Sequence, residues 1–136
     1  MGRFLAASGP VPDRIVSSSA LRALDTARRL ARAADLECPI AETSDLYPAA
    51  AEAALRVIGD ETDATQTLLL VGHEPMCSEL LSRLVGAAEV RMPTAALARI
   101  DLPVERWDDV RFGQGRLAWL VTPRLLARAG LGEDEA

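Results

Sequence analysis

Thr67-Leu68-Leu69-Leu70-Val71-Gly72-His73-Glu74-Pro75 is the stretch whose reading decides the fold. From Thr67 to Val71 the run is apolar without alternation, the pattern of a strand covered on both faces. Gly72 closes it. Pro75 suits the first position of a helix, where a missing N–H removes nothing and φ is already close to the helical value. A strand that hands over to a helix through Gly-His puts an imidazole at the carboxyl end of a sheet, where open α/β sheets bind ligands. His73 is the only histidine of the chain, and histidine changes charge near neutral pH. Its expected role is acid–base chemistry or contact with a phosphoryl group; the bland alternative is a histidine that only braces the turn. Glu74 is expected to do no more than complement the dipole at the helix start.

Elements of matching type lie on both sides of this stretch. Residues 1–7 read as the last turns of a helix stopped near Gly9-Pro10. Arg14-Ile15-Val16-Ser17 is a short strand. From about Ala20 to Ala34 a helix is expected. Ala23, Leu24, Ala27, Leu30, Ala31 and Ala34 fall on one side of its wheel, and Asp25, Arg28, Arg29 and Arg32 on the other. The small apolar residues allow that helix to lie close on a sheet. Ile40-Ala41-Glu42 is a brief strand, and Ala49 to Ile58 a helix ended by Gly59-Asp60. The helix begun at Pro75 should reach Val85, with Gly86 beyond it. Ala95–Leu102 and Arg116–Thr122 read as strands joined by a polar segment with Trp107 and Gly113, and Leu125–Ala129 as a last helical turn. This order predicts an α/β layer fold with a largely parallel sheet and helices on both faces. With no repeat or linker, residues 1–136 are expected to form a single domain, with 130–136 as a frayed acidic tail.

Composition removes several classes of function. A net charge of −5 argues against a nucleic-acid surface. No apolar stretch approaches the roughly 20 residues of a membrane span, and the N-terminus lacks a secretion signal, so a cytoplasmic location is expected. All 15 basic residues are arginine, a bias that points to a GC-rich bacterial genome. Cys38 and Cys77 are far apart and are expected as free thiols. One histidine and two scattered cysteines make a poor metal site, so neither metal nor cofactor is expected. Cys77 and Arg83 have the Cys-x5-Arg spacing of a tyrosine phosphatase loop, but the residues between them are helix formers. On a helix the two would point about 120° apart.

A second turn, Ser17-Ser18-Ser19-Ala20-Leu21-Arg22, offers the N-terminus of the next helix, with Ser19 as its expected cap. Arg22 then falls in the first turn, where the helix dipole disfavours a cation. An anion at that N-terminus would resolve the conflict, and a solvated surface arginine is the alternative.

Together these segments resemble the histidine phosphatase superfamily, of phosphoglycerate mutase-like fold. The matching pieces are Pro12 through Ala27, Leu46-Tyr47, Leu68 through Pro75 and Pro93-Thr94-Ala95-Ala96-Leu97-Ala98, in the order of its small SixA-type branch, the phosphohistidine phosphatases. The resemblance spans Met1 to about Pro123. It implies that phosphate is held by Arg22 and His73, with Ser19 in the same turn, and that His73 is the second, non-nucleophilic histidine. It implies a substrate that is a phosphorylated protein (phosphohistidine) or a small phosphate ester, and hydrolysis through a phosphohistidine intermediate without metal. The Arg-His-Gly or Arg-His-Ala segment that carries the family's nucleophile is absent, so the chain is expected to be N-terminally truncated relative to the family. Its first strand would be missing from the sheet beside the strand ending at His73. The alternative is a non-catalytic module that binds phosphate or a phosphoprotein.

Overall fold

The computed structural model describes residues 1–46 and 50–131. Tyr47, the first residue of the helix expected from Ala49, and the acidic tail after Leu131 lie outside them. Strands β1 (Arg14–Ser18), β2 (Ile40–Thr43) and β3 (Leu68–Val71) form a parallel sheet in the order β2-β1-β3. In this register Ile15 lies between Ile40 and Leu69, and Val16 between Ala41 and Leu70.

Strand alternation sends Ile15 and Val16 to opposite faces, and each face finds its own helices. Helices α1 (Gly2–Ser8) and α2 (Leu21–Ala33) cover the first. There Ile15, Leu69 and Val71 pack with Leu5, Ala23, Ala27, Leu30 and Ala31. Helices α3 (Ala51–Gly59) and α4 (Met76–Val85) cover the second, where Val16 meets Ala54, Ile58, Met76, Leu80 and Leu84, with Leu68 and Leu70 at the margin. The unbroken apolar run of β3 is thus explained by burial from both sides. The expected apolar stripe of α2 is buried in full, Leu24 and Ala34 included. Gly86 ends α4 in the left-handed region at φ 74°, where a side chain would be strained.

The last two strands do not extend this sheet. β4 (Leu97–Asp101) and β5 (Arg116–Val121) form a separate antiparallel pair, with Leu97 opposite Val121 and an irregularity between Arg99 and Ile100. The chain closes with α5 (Pro123–Arg128), capped by the Thr122 hydroxyl, which accepts from Leu125 N–H. β3 and β4 are each at the edge of their own sheet. A cavity of about 980 Å³ runs along both, lined by residues 67–73 and 95–102.

Asp13 fastens the entry to β3. Its carboxylate accepts from the backbone N–H of Thr67 at 3.0 Å and of Gln66 at 3.1 Å, while its own N–H donates to the Thr67 carbonyl at 3.0 Å. Desolvation pulls this carboxyl upward, but the N–H groups of Thr67, Gln66 and Asp13 itself outweigh it and hold it below its ordinary value of 3.8. A carboxylate lowered on folding contributes stability in full above its unfolded value and loses it as pH falls through the folded one. Asp13→Ala should therefore destabilise the protein by about 1 kcal/mol at neutral pH, a modest amount because the group is largely exposed. Urea titrations of both proteins at pH 7 and pH 3 check this: the difference should shrink at the lower pH.

Candidate functional site

The parallel register brings the ends of β1 and β3 together, since Ser17 lies opposite Val71 and the next residues on each strand are Ser18 and Gly72. His73 follows, partly buried, and its carbonyl accepts from Cys77 N–H at 2.9 Å, which starts the helical path into α4. Gly72 is closely packed by side chains of α4. A Cβ there would stand 2.5 Å from Met76 Cε and 3.2 Å from Cys77 Sγ.

The imidazole Nε2 lies 2.7 Å from the hydroxyl oxygen of Ser18, a fully buried residue at the end of β1. That hydroxyl also accepts the N–H of Ala20 at 3.3 Å. Ser18 is the site residue that the sequence reading missed. Strand alternation gave no signal for it, because both faces of β1 are covered and Ser17 and Ser18 are both fully buried.

Ser19 does not cap α2. β1 runs one residue further than expected, the N–H of Ser19 donates to the Thr43 carbonyl at 3.0 Å, and the N-cap falls on Ala20, which has no side chain to offer. Ser19 is exposed. The first turn of α2 accordingly has no side-chain cap and no acidic residue. Arg22 sits in this turn, exposed to solvent. Arg22 and His73, from neighbouring strand-to-helix turns, line the same cavity between β3 and β4, together with Thr94. Ser19 is not among the residues that line it.

The Cys77–Arg83 spacing carries no phosphatase loop. Both residues lie on α4. Arg83 is taken up by Glu52 at 2.7 Å and Glu79 at 3.6 Å, and its guanidinium lies 4.0 Å over the Phe112 ring. Desolvation, with a smaller push from the Glu74 charge, raises the Cys77 thiol to about 11. At pH 8 a thiol at 11 is about one part in a thousand thiolate, against roughly one part in ten at its ordinary 9.0. In a Cys38→Ser background, iodoacetamide at pH 8 should therefore modify folded Cys77 on the order of 100-fold more slowly than the urea-unfolded chain.

No family model matches the sequence. An uncharacterised protein of Mycobacterium leprae is 25% identical over 132 residues, covering 90% of this chain and 79% of its own length. Solved structures give the sharper likeness. One assigned as the phosphohistidine phosphatase SixA of Agrobacterium tumefaciens superposes with a TM-score of 0.73 at 26% identity, over 90% of this chain and 75% of that one. Another so assigned, from Nakamurella multipartitia, gives 0.73 at 20% identity over 89% and 76%. The protein histidine phosphatase SixA complexed with tungstate gives 0.69 at 19% over 92% and 80%. The two turns that meet at His73 thus stand in a fold of the histidine phosphatase superfamily, in the form of its SixA phosphohistidine phosphatases.

Proposed function

We propose that this chain binds a phosphoryl group between Arg22 and His73, as the phosphate-holding part of a histidine phosphatase-type site. The observation that carries this reading is that the two side chains, delivered from adjacent turns, line one cavity. A guanidinium fork matches two oxygens of a tetrahedral dianion. The uncapped amides of α2 add donors and a partial positive charge at the same turn. Ser19, exposed beside them, has a hydroxyl to offer a ligand that extends over the turn. A phosphohistidine on a protein and a small phosphate ester present the same group to these donors, and the reading requires no cofactor.

Hydrolysis by the phosphohistidine route needs a nucleophilic imidazole. The 136 residues hold one histidine, and Ser18 engages it. The first reading for these 136 residues is therefore binding of the phosphoryl group. Hydrolysis is the second reading: β3 and β4 lie at the edges of their sheets, and a strand seated between them parallel to β3 would end beside His73, where turnover would require it to carry the nucleophilic histidine.

Thermal melts with inorganic phosphate or tungstate test the proposal. Phosphate at about ten times its dissociation constant should add about 1.4 kcal/mol of stability, a rise in Tm of a few degrees. No rise at high millimolar phosphate would sink it. Phosphate release from a phosphohistidine protein by this polypeptide would replace the first reading with the second.

A further inference from the structure

The Ser18 hydroxyl is fully buried, so its partners must come from the protein. It has one proton to donate and two lone pairs to fill. One lone pair takes the Ala20 N–H at 3.3 Å. The neighbouring Ser17 hydroxyl donates to the Ser18 carbonyl at 2.9 Å and leaves the Ser18 hydroxyl alone. Among the described residues, the acceptor within reach of the Ser18 proton is Nε2 of His73, at 2.7 Å. A buried O–H left without an acceptor is unfavourable. The proton therefore points at Nε2, and Nε2 must be bare to receive it.

We infer that Ser18 is a positioning residue that holds neutral His73 in the tautomer with its proton on Nδ1. Neutral imidazole side chains in water favour the proton on Nε2, so the buried hydroxyl reverses the default. The same oxygen fixes the start of α2, since Ala20 is its N-cap and Arg22 follows two residues later. One side chain thus ties the turn that presents Arg22 to the turn that presents His73. The consequence for ligand binding rests on the phosphoryl reading above: an anion held with Arg22 meets a ring whose orientation and tautomer Ser18 has set. The tautomer itself does not depend on that reading.

His73 is the only histidine, so isotope labelling of histidine nitrogens gives NMR signals from this ring and no other. With the ring neutral, Nε2 is expected to resonate as a bare nitrogen and Nδ1 as a protonated one. Ser18→Ala removes an oxygen without adding bulk. It should move the ring toward the Nε2–H form and weaken inorganic phosphate binding about threefold to tenfold. A wild-type ring with its proton on Nε2 overturns the inference. So does a folded Ser18→Ala protein with the wild-type nitrogen pattern. Should Ser18→Ala fail to fold, the wild-type spectrum decides by itself. Failure of phosphate to bind a protein that shows the expected tautomer overturns the phosphoryl reading and leaves the role of Ser18 standing.

Discussion

Arg22→Ala should abolish the stabilisation by phosphate while leaving the unliganded protein as stable as before, or slightly more so. The two effects have opposite signs because Arg22 sits in the first turn of α2, where the dipole disfavours a cation and no acidic residue offsets it. Without an anion, removal of this exposed charge relieves a small repulsion. With an anion, it removes two charge-assisted hydrogen bonds worth together about 3 kcal/mol, or roughly a hundredfold in affinity. Arg22→Lys should recover part of the affinity, because a point charge remains but the fork is lost. Calorimetric titration with phosphate and melts with and without it measure both effects. A variant that keeps the full phosphate-induced shift removes Arg22 from the site. A variant that loses stability without phosphate shows instead that the arginine holds the fold.

Ile15→Ala should cause the largest loss of stability from a single substitution, about 3–4 kcal/mol. Ile15 is fully buried on the middle strand of the parallel sheet, between Ile40 and Leu69, and packs with Leu5, Ala27 and Leu30. Truncation removes the transfer energy of the side chain and leaves a void bounded by β1 and two helices, which close-packed neighbours fill only partly. A loss of that size is a large fraction of the 5–15 kcal/mol typical of a domain, so the urea midpoint should fall by something like a third or more. Leu125→Ala is the control, since that leucine on α5 is 53% exposed and should cost less than about 0.5 kcal/mol. A loss below about 1 kcal/mol at Ile15 would mean that the parallel sheet is not the centre of the core.

Local sequence rules went far with the helices. The wheel of residues 20–34 places six residues on one face, and all six are buried, because a helix fixes its own faces once its period is set. The β3 run and its Gly-His exit were legible for a similar reason: short apolar stretches bounded by glycine and proline have few alternatives. The last two strands were legible as strands and not as a separate sheet. Which edge a strand joins depends on contacts far apart in the chain, and alternation does not encode it.

At the candidate site the division is sharper. The sequence by itself determined which turns face the carboxyl end of the sheet, that His73 closes one, and that Arg22 opens the helix after the other. Those features follow from local backbone chemistry. Only the tertiary structure decided that the hydroxyl of Ser18, and not that of Ser19, meets the His73 ring. In a strand a step of one residue turns a side chain to the opposite face. The parallel pairing of β1 with β3 then places the Ser18 oxygen against a ring 55 residues away.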